Sequence, residues 1–301
     1  MTLWSTVQAA STLVYGTGFE QSEGFSPGPD LAGQQGWVGA GTGGNGVSPD
    51  AFQTNQFAFL GFYGPDSDSE TFTSVWKPLN VPAIPAGSIV RFSVSLNIAE
   101  PLNQQYDDFR WSAYNTSGNR LLTVGFDNLS LQVFYQLNDD AKIFTQTSFI
   151  NNTQFTLVIS MDFAHNRWGA SVGGSDLGVD RPITMNCLPL NLGHVKAAWY
   201  YTDPRAPGDN YMLFDNYRVT LEGSNTVAQT VQVLCSDTQH IQVRSFGQPG
   251  QRYALQVSST LLSNSWVSLF TNTAPATGYF DFVDTYSPGP SSRFYRTRLV
   301  P

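Results

Sequence analysis

Short segments in which apolar and polar side chains alternate make up most of this chain, and Gly, Pro, Asn and Asp separate them. The run from Ile89 to Leu96, bounded by Pro85 and Pro101, is one example. Because successive side chains of a strand point to opposite faces, this alternation predicts half-buried β-strands. Strands are predicted at residues 89–96, 109–115, 120–126, 129–137, 155–163, 168–172, 195–201 and 211–221. In the tail, strands are predicted at 230–234, 240–244, 253–257, 266–270, 279–282 and 293–297.

The spacing of these strands predicts an all-β fold. Many short strands joined by turns favour a sandwich or barrel over βαβ units. Phe19 and Glu20 stand near the start of the strand-rich segment, and Phe214 to Tyr217 closes it. We therefore expect the first and last strands to lie side by side in an antiparallel jelly-roll β-sandwich, followed by a small β-sandwich-like C-terminal domain.

Four segments are predicted along the chain. Residues 1–17 form a leader, 18–222 the jelly-roll sandwich, 223–229 a linker and 230–301 the small β domain. The leader is either a flexible segment or the remnant of a signal peptide, because Val7-Gln8-Ala9 has the small-x-small pattern of a cleavage site. The small domain, of about seventy residues, is marginal for a core of its own. We expect it to contact the sandwich, another chain or the cell surface.

The composition is acidic and poor in charge. Charged residues are 13% of the chain and the net charge is -8. With no basic run, such a chain repels the nucleic-acid backbone, so DNA and RNA are not expected partners. No stretch approaches the ~18 apolar residues of a membrane helix. A charge-poor, Asn/Gln/Ser/Thr-rich surface is usual in secreted β-proteins, and we expect a secreted, extracellular or cell-surface location.

The two cysteines, Cys187 and Cys235, allow at most one disulfide. The predicted domain boundary lies between them. We therefore expect two buried thiols rather than a bond.

Two stretches resemble a known family. Gly18-Phe19-Glu20 through Leu31 to Trp37, together with Phe214 to Tyr217, resembles the concanavalin-like or laminin-G-like jelly rolls of secreted bacterial proteins common in Verrucomicrobia and Planctomycetes. The tail from Tyr253 to Leu299 is similar to a C-terminal β-module of those proteins. The resemblance implies the fold and the location. Members of the superfamily include glycan-binding modules, lectins, glycoside hydrolases and polysaccharide lyases.

Aromatic residues beside polar groups are the candidate glycan contacts. Sugars stack their flat C–H faces on Trp and Tyr, while amides and carboxylates bind the hydroxyls. Strand alternation puts Trp199 and Tyr201 on one face and Tyr200 on the other, so one set is expected in the core. The predicted ligand-binding residues are Trp111, Arg110, Trp199, Tyr201, Asp209 and Asn210.

The carboxylates give a weaker prediction of catalysis. Five glutamates are present, and none has a second carboxylate two residues away on a convincing strand. Inverting hydrolysis needs only two carboxyl groups about 6.5–9.5 Å apart, which loops can supply. If the protein is an enzyme, a glycoside hydrolase or a lyase, the candidate carboxylates are Asp108, Asp127, Asp209 and Asp215. The alternative is that each Asp caps or turns a strand end.

A structural calcium ion is implied by the resemblance, because such an ion pins the first strand to the last in many jelly-roll modules. Calcium prefers oxygen ligands from carboxylates, amides and carbonyls. Glu20 and Asp215 occupy the corresponding strand ends, and Asn45 is the expected third ligand. The alternative is that Glu20 and Asp215 accept hydrogen bonds from loop amides.

The leading hypothesis is a secreted, non-catalytic protein that binds carbohydrate, with a polysaccharide as its partner. The alternative is a glycoside hydrolase or polysaccharide lyase on the same fold. A second alternative is an extracellular structural or adhesion component, in which the small domain is an anchor.

Overall fold

A computed structural model describes residues 11–49, 55–85, 87–138, 141–177, 181–184, 187–223, 231–236, 240–262, 264–285 and 292–300. Within these ranges the fold is all-β, apart from one 3-10 turn at Gln21–Glu23, and every strand pairing is antiparallel. Two large sheets face each other across one core, and two small sheets form a C-terminal unit. The prediction of a jelly-roll sandwich followed by a small β domain is confirmed.

The first large sheet has nine strands. Seven of them lie in the order β13 (Ser175–Asp176), β12 (Arg167–Val172), β11 (Phe155–Asp162), β6 (Ile89–Ile98), β16 (Tyr211–Glu222), β4 (Gln56–Gly61) and β3 (Asn45–Pro49). The remaining two pair with members of that row, β1 (Ser11–Thr17) with β16 and β14 (Arg181–Pro182) with β12.

The second large sheet has seven strands. Their order is β10 (Ile143–Ser148), β9 (Gln132–Leu137), β8 (Arg120–Asp127), β7 (Asp108–Tyr114), β15 (His194–Tyr200), β5 (Phe72–Trp76) and β2 (Val38–Ala40). The six remaining described strands form the C-terminal unit. Its two three-stranded sheets run β17 (Val231–Ser236), β18 (His240–Phe246), β21 (Tyr279–Thr285) and β20 (Val267–Thr273), β19 (Arg252–Ser258), β22 (Phe294–Val300).

Alternation along the strands builds the core. On β6 every second side chain is buried, and Phe92 from this strand meets Trp111 of the opposite sheet at 5.3 Å between ring centroids. Burying aromatic side chains of this size supplies much of the apolar area that stabilises a sandwich. The two sheets are thus joined by rings that interlock across the interior.

The first and last strands of the sandwich are neighbours, as predicted. β1 runs antiparallel to β16, with Thr17 opposite Tyr217. The predicted leader of residues 1–17 is wrong in its second half, because residues from Ser11 onwards form this strand. Residues 1–10 and most of the predicted linker lie outside the described residues. Phe19 follows the strand with a positive φ of 59° and packs on Phe214 at 5.3 Å.

The C-terminal unit contacts the sandwich at the turn between β11 and β12. Arg244 of β18 donates hydrogen bonds to the carbonyl oxygens of Phe163 and Ala164 in this turn. The ring of His165 stacks on Phe246 at 4.7 Å, and the Asn166 amide donates to the Leu234 carbonyl oxygen at 3.1 Å. Of the contacts expected for the small unit, the one with the sandwich is confirmed.

The expected pair of free thiols is wrong. Cys187 is disulfide-bonded. The sequence has one other cysteine, Cys235 on β17, and its side chain lies outside the described residues.

Candidate functional site

The aromatic residues predicted to stack on a ligand face the core instead. Trp111 and Trp199 have no exposed surface, and Tyr201 is buried beside them. The indole nitrogen of Trp199 donates to Asp107 at 3.0 Å, and the Tyr201 hydroxyl pairs with that of Thr73. Burial is the physical reason for the correction, since a sugar cannot reach these rings. One of the two alternating sets is in the core, as expected. It is the set of Trp199 and Tyr201, which was predicted to bind the ligand.

The outward set lies on the outer face of the seven-stranded sheet. Tyr200 of β15 stacks on Phe72 of β5 at 5.2 Å, with both rings half-buried. The guanidinium of Arg110 lies over the Tyr200 ring at 3.7 Å from its centroid. A cation in this position is attracted to the ring face and holds the ring in place. Arg110, one of the predicted ligand-binding residues, therefore lies on the outer face of the sheet.

A second group lies further along the same strands. The His194 ring stacks on Tyr114 of β7 at 4.8 Å and lies 5.6 Å from Trp76 of β5. The Nζ of Lys196 lies over the Tyr114 ring at 4.6 Å and within 6 Å of two other ring centroids, those of Phe72 and Trp76. We call this surface, defined by Phe72, Trp76, Tyr114 and Tyr200, the aromatic face.

Burial lowers the pKa of two groups on the aromatic face. Desolvation, helped by the charge of Lys196, lowers the pKa of His194 to about 4. Desolvation also lowers the pKa of Lys196, and the charge of Arg120 acts in the same direction. His194 is therefore neutral near pH 7, and its ring serves as a flat, uncharged spacer between Trp76 and Tyr114.

Two of the predicted catalytic carboxylates meet at the end of the aromatic face. Asp108 of β7 is directly opposite Asp127 of β8 in the strand register. Asp108 accepts a hydrogen bond from Arg110 at 2.9 Å and forms an ion pair with Lys142. Asp127 accepts hydrogen bonds from the backbone N–H groups of Leu129 and Ser130. These contacts match the strand-end role that was the alternative to catalysis.

The other loop residues predicted for the site are away from the aromatic face. Asp209 accepts hydrogen bonds from the backbone N–H groups of Leu102 and Asn103, which ties two loops together. Asn210 is fully buried, and neither atom of its amide group has a hydrogen-bond partner. The prediction that Asn210 binds a surface ligand is wrong because of this burial.

The predicted calcium ligands are brought together only in part. A Cβ placed on Gly18 would be 3.6 Å from Asp215 Oδ1 and 3.8 Å from Glu20 Oε1, so the two carboxylates converge there. Asn45 is not part of this group. Asn45 pairs with Leu60 at one end of β4, whereas Glu20 accepts a hydrogen bond from the backbone N–H of Gln56 at the other end. At the rise of a strand, Gln56 and Leu60 are about 13 Å apart.

The neighbouring carboxylates affect the pKa of Asp215. Desolvation raises its pKa, and Glu20 and Glu23 raise it further, against the hydrogen bonds from Asn216 and Asn55. Among the described residues, no group of three or more His, Cys, Asp or Glu side chains is arranged to hold a metal ion. Glu20 and Asp215 converge beside Gly18, and Glu23 accepts a hydrogen bond from the backbone N–H of the same glycine at 3.0 Å.

The nine-stranded sheet has a groove on its outer side, of about 380 Å³, near Arg91 and Asp162. Its polar groups are engaged with each other or with neighbours. Arg91 pairs with Glu222 at 2.9 Å, and Asp162 pairs with His165 at 2.7 Å. The one aromatic side chain that lines it, Trp168, is nearly fully buried. The aromatic face is the better candidate for a ligand.

Sequence reasoning missed most of the aromatic face. Phe72, Trp76 and Tyr114 were not singled out, and Tyr200 was set aside in favour of its neighbours. One signal was available, because Lys196 and Tyr200 share a strand face by alternation, and a lysine marks the solvent side more often than a tryptophan does. The contacts between strands depend on register, which the sequence does not reveal.

Comparison with known proteins gives no family. No family model matches the chain, and no curated protein matches it. Among solved structures, a sialidase shares 8% identity over 63% of this chain and 17% of its own, with a TM-score of 0.45. A carbohydrate esterase from the Shiga toxin-encoding bacteriophage phi24B shares 15% identity over 71% of this chain and 100% of its own, with a TM-score of 0.47.

A third solved structure is a protein of unknown function with a galectin-like fold from Bacillus subtilis. It shares 12% identity over 72% of this chain and 99% of its own, with a TM-score of 0.47. This chain spans 17% of the sialidase it resembles. No functional conclusion follows from similarities this low, and the fold assignment depends on the strand pairing itself.

Proposed function

We propose that the protein binds carbohydrate, with a polysaccharide lying across the aromatic face. The observation that carries the proposal is the set of half-buried rings Phe72, Trp76, Tyr114 and Tyr200 on one open sheet surface. Their neighbours Arg110, Asp108 and Lys196 supply hydrogen-bonding groups. Flat rings beside polar groups match the mixed apolar and hydroxylated surface of a sugar.

Binding to insoluble polysaccharides and to a glycan array tests this proposal. We expect the wild-type protein to be retained on at least one plant, algal or bacterial polysaccharide. Trp76→Ala should weaken that binding by about tenfold, since a stacked ring is worth on the order of 1–1.5 kcal/mol. Trp266→Ala is the matched control, because Trp266 is also a half-buried tryptophan and lies in the C-terminal unit. No retention on any polysaccharide would remove the proposal.

A hydrolytic or lyase activity is the second candidate, favoured by the pairing of Asp108 with Asp127 at the end of the aromatic face. Cross-strand partners have Cβ atoms about 4.5–5.5 Å apart, close to the carboxyl spacing of a retaining glycosidase. The test is release of reducing sugar from the polysaccharides that the protein binds. Activity that Asp108→Asn abolishes without loss of binding would establish catalysis, and its absence would leave binding as the function.

The proposed location is outside the cell. The disulfide at Cys187 supports it, because structural disulfides persist mainly in oxidising compartments. Within the described residues no helix is long and apolar enough to cross a membrane. The test is the distribution of the protein between cells and medium, with the redox state of Cys187 measured by thiol labelling. A reduced thiol in the freshly isolated protein would contradict this location.

A calcium ion between Glu20 and Asp215 is also proposed. Its support is the convergence of the two carboxylates beside Gly18, where a cation offsets their repulsion. A ligand at a hundredfold excess over its Kd adds about 2.7 kcal/mol to the free energy of unfolding. We expect chelation to lower the melting temperature by about 2–8 °C.

The calcium test has a matched pair of variants. Asp215→Asn should abolish the response to chelator, whereas Asp66→Asn, at an exposed carboxylate, should leave it intact. A melting temperature that is the same with and without chelator would show that Glu20 and Asp215 serve as hydrogen-bond acceptors only.

A further inference from the structure

The charges of the aromatic face differ from those of the rest of the sandwich. Arg110, Lys142 and Lys196 lie on it, and Arg120 is near enough to lower the pKa of Lys196. Two of the three lysines of the chain are in this group. Among the described residues the carboxylates at the same place are Asp108 and Asp127, so the described part of this surface has an excess of positive charge in a protein whose net charge is -8.

The cations are not all neutralised. Asp108 accepts from Arg110 and pairs with Lys142, so two cations share one carboxylate. Among the described residues, Lys196 forms no ion pair or hydrogen bond, and its Nζ contacts only the rings of Phe72, Trp76 and Tyr114. A half-buried ammonium without an anion is costly, and an anionic ligand removes that cost.

Further donors on this face lack partners. The Nε of Arg110 is buried with no hydrogen-bond acceptor, and so is the hydroxyl of Ser74. Ser74 lies on β5 between Thr73 and Val75, whose side chains face the core, so its own side chain points to the outer face. Ser74 is opposite Ala198, two residues from Lys196 on the neighbouring strand. Both of these donors are buried, so they lie beneath the aromatic face, and half-buried Lys196 is the cation that a ligand on this face can reach.

We propose that the ligand of the aromatic face is an anionic polysaccharide, with Lys196 Nζ binding a carboxylate or sulfate group of one sugar unit. The rings of Trp76, Tyr114 and Tyr200 hold the flat faces of the sugars, and Lys196 selects those that carry negative charge. This inference rests on the proposed carbohydrate-binding function and adds the substrate class. A charge-assisted hydrogen bond from a desolvated lysine is among the stronger polar contacts in proteins.

Matched pairs of polysaccharides test the charge requirement. Polygalacturonate is compared with its methyl ester, which removes the carboxylate charge, and κ-carrageenan with its desulfated form, which removes the sulfate. We expect at least one charged member to bind about tenfold or more tightly than its neutral partner, the difference expected for one charge-assisted contact. The pair that shows the difference identifies whether the group is a carboxylate or a sulfate. Raising the salt concentration should weaken binding to that member.

Variants at Lys196 assign the effect to this residue. Lys196→Gln should lower the affinity for the charged polysaccharide by about tenfold more than the affinity for its neutral partner. Lys196→Arg keeps the positive charge and should keep the preference, which separates loss of charge from loss of folding. Arg218→Gln is the matched control, since Arg218 is an exposed residue of the nine-stranded sheet and its loss changes the net charge equally.

The outcomes separate the two proposals. Equal or tighter binding to the neutral members, or unchanged binding of the charged member by Lys196→Gln, would overturn the anionic substrate class while leaving carbohydrate binding in place. Absence of binding to every polysaccharide would overturn the proposed function itself, and this inference with it.

Discussion

The sandwich and the C-terminal unit are built from the same kind of strand but are stabilised differently. In the sandwich, rings from both sheets interlock, and Trp111 alone contacts Phe92, Phe214 and Tyr217. The core of the C-terminal unit is small, and along β20 every residue is exposed, including Val267 and Phe270. A unit of about seventy residues with so small a core gains little stability from its own packing. The comparison teaches that the small unit depends on its contacts with the sandwich.

The two units also differ in charge. Residues 1–229 contain ten Lys and Arg against twenty Asp and Glu, whereas residues 230–301 contain five against three. Four of the ten cations of the first segment are Arg110, Arg120, Lys142 and Lys196, at the aromatic face. Over the part of the chain that the structure describes, the sandwich is therefore acidic except where we place the ligand. Uniform acidity would repel an anionic polysaccharide, and this local exception permits its approach.

The largest expected effect is the loss of a ring from the sandwich core. Trp111→Ala should lower the free energy of unfolding by about 3–5 kcal/mol, because it leaves a cavity among packed aromatic rings. Trp266→Ala is the matched control in the small unit, where the ring is only half-buried under Arg296, and should cost far less. Denaturant unfolding measures both. A Trp111→Ala protein that kept its stability and lost polysaccharide binding would restore Trp111 as a ligand contact.

Most strands of the two units, but not all, were predicted from the sequence. Strands with regular alternation, such as β6 and β16, were predicted within a few residues. The strands β3, β4, β5 and β10 were not, because Gly, Pro and Thr interrupt or blur their alternation. The six strands of the C-terminal unit, predicted at 230–234, 240–244, 253–257, 266–270, 279–282 and 293–297, all exist.

The candidate site was harder to predict than the fold. Periodicity shows that Trp199 and Tyr201 share a face, but it does not show which face is inside. The ring cluster around Lys196 joins β5, β7 and β15, and strands from such distant parts of the sequence become neighbours only through the sheet order. Glu20 and Asp215 were predicted correctly as neighbours, because the pairing of the first strand with the last was predicted.

Next in size is the effect of the disulfide. If Cys187 is bonded to the other cysteine of the sequence, the bond closes a loop of about fifty residues and stabilises the chain by about 2–4 kcal/mol. We expect reduction, or Cys187→Ser, to lower the melting temperature and to expose the C-terminal unit to protease. Identical digestion patterns with and without reductant would show that the non-covalent contacts alone hold the small unit in place.

Those non-covalent contacts depend on Arg244. Its side chain is buried, binds Asp281 through two hydrogen bonds and donates to the turn of the sandwich. Arg244→Ala leaves Asp281 and the turn carbonyls without their donor, and should cost about 2–3 kcal/mol. Limited proteolysis and thermal melting measure the effect, with Arg298→Ala, at an exposed position of β22, as the control. Equal effects of the two variants would mean that the interface at Arg244 contributes nothing of its own.

The smallest expected effect concerns His194, whose pKa is lowered to about 4 by burial and by Lys196. Between pH 6.5 and pH 4 the unfolded chain binds a proton at this residue and the folded sandwich does not, so stability falls as the pH falls. The contribution is on the order of 1–2 kcal/mol, because the ring is partly exposed to solvent. His194→Gln should remove this part of the pH dependence, measured as the free energy of unfolding against pH, and leave the slope above pH 7 unchanged.

His240→Gln, in the small unit, is the control. Its free energy of unfolding should depend on pH between 4 and 6.5 as that of the wild-type protein does. A wild-type slope in His194→Gln would show that His194 accepts a proton as readily in the folded state as in the unfolded chain.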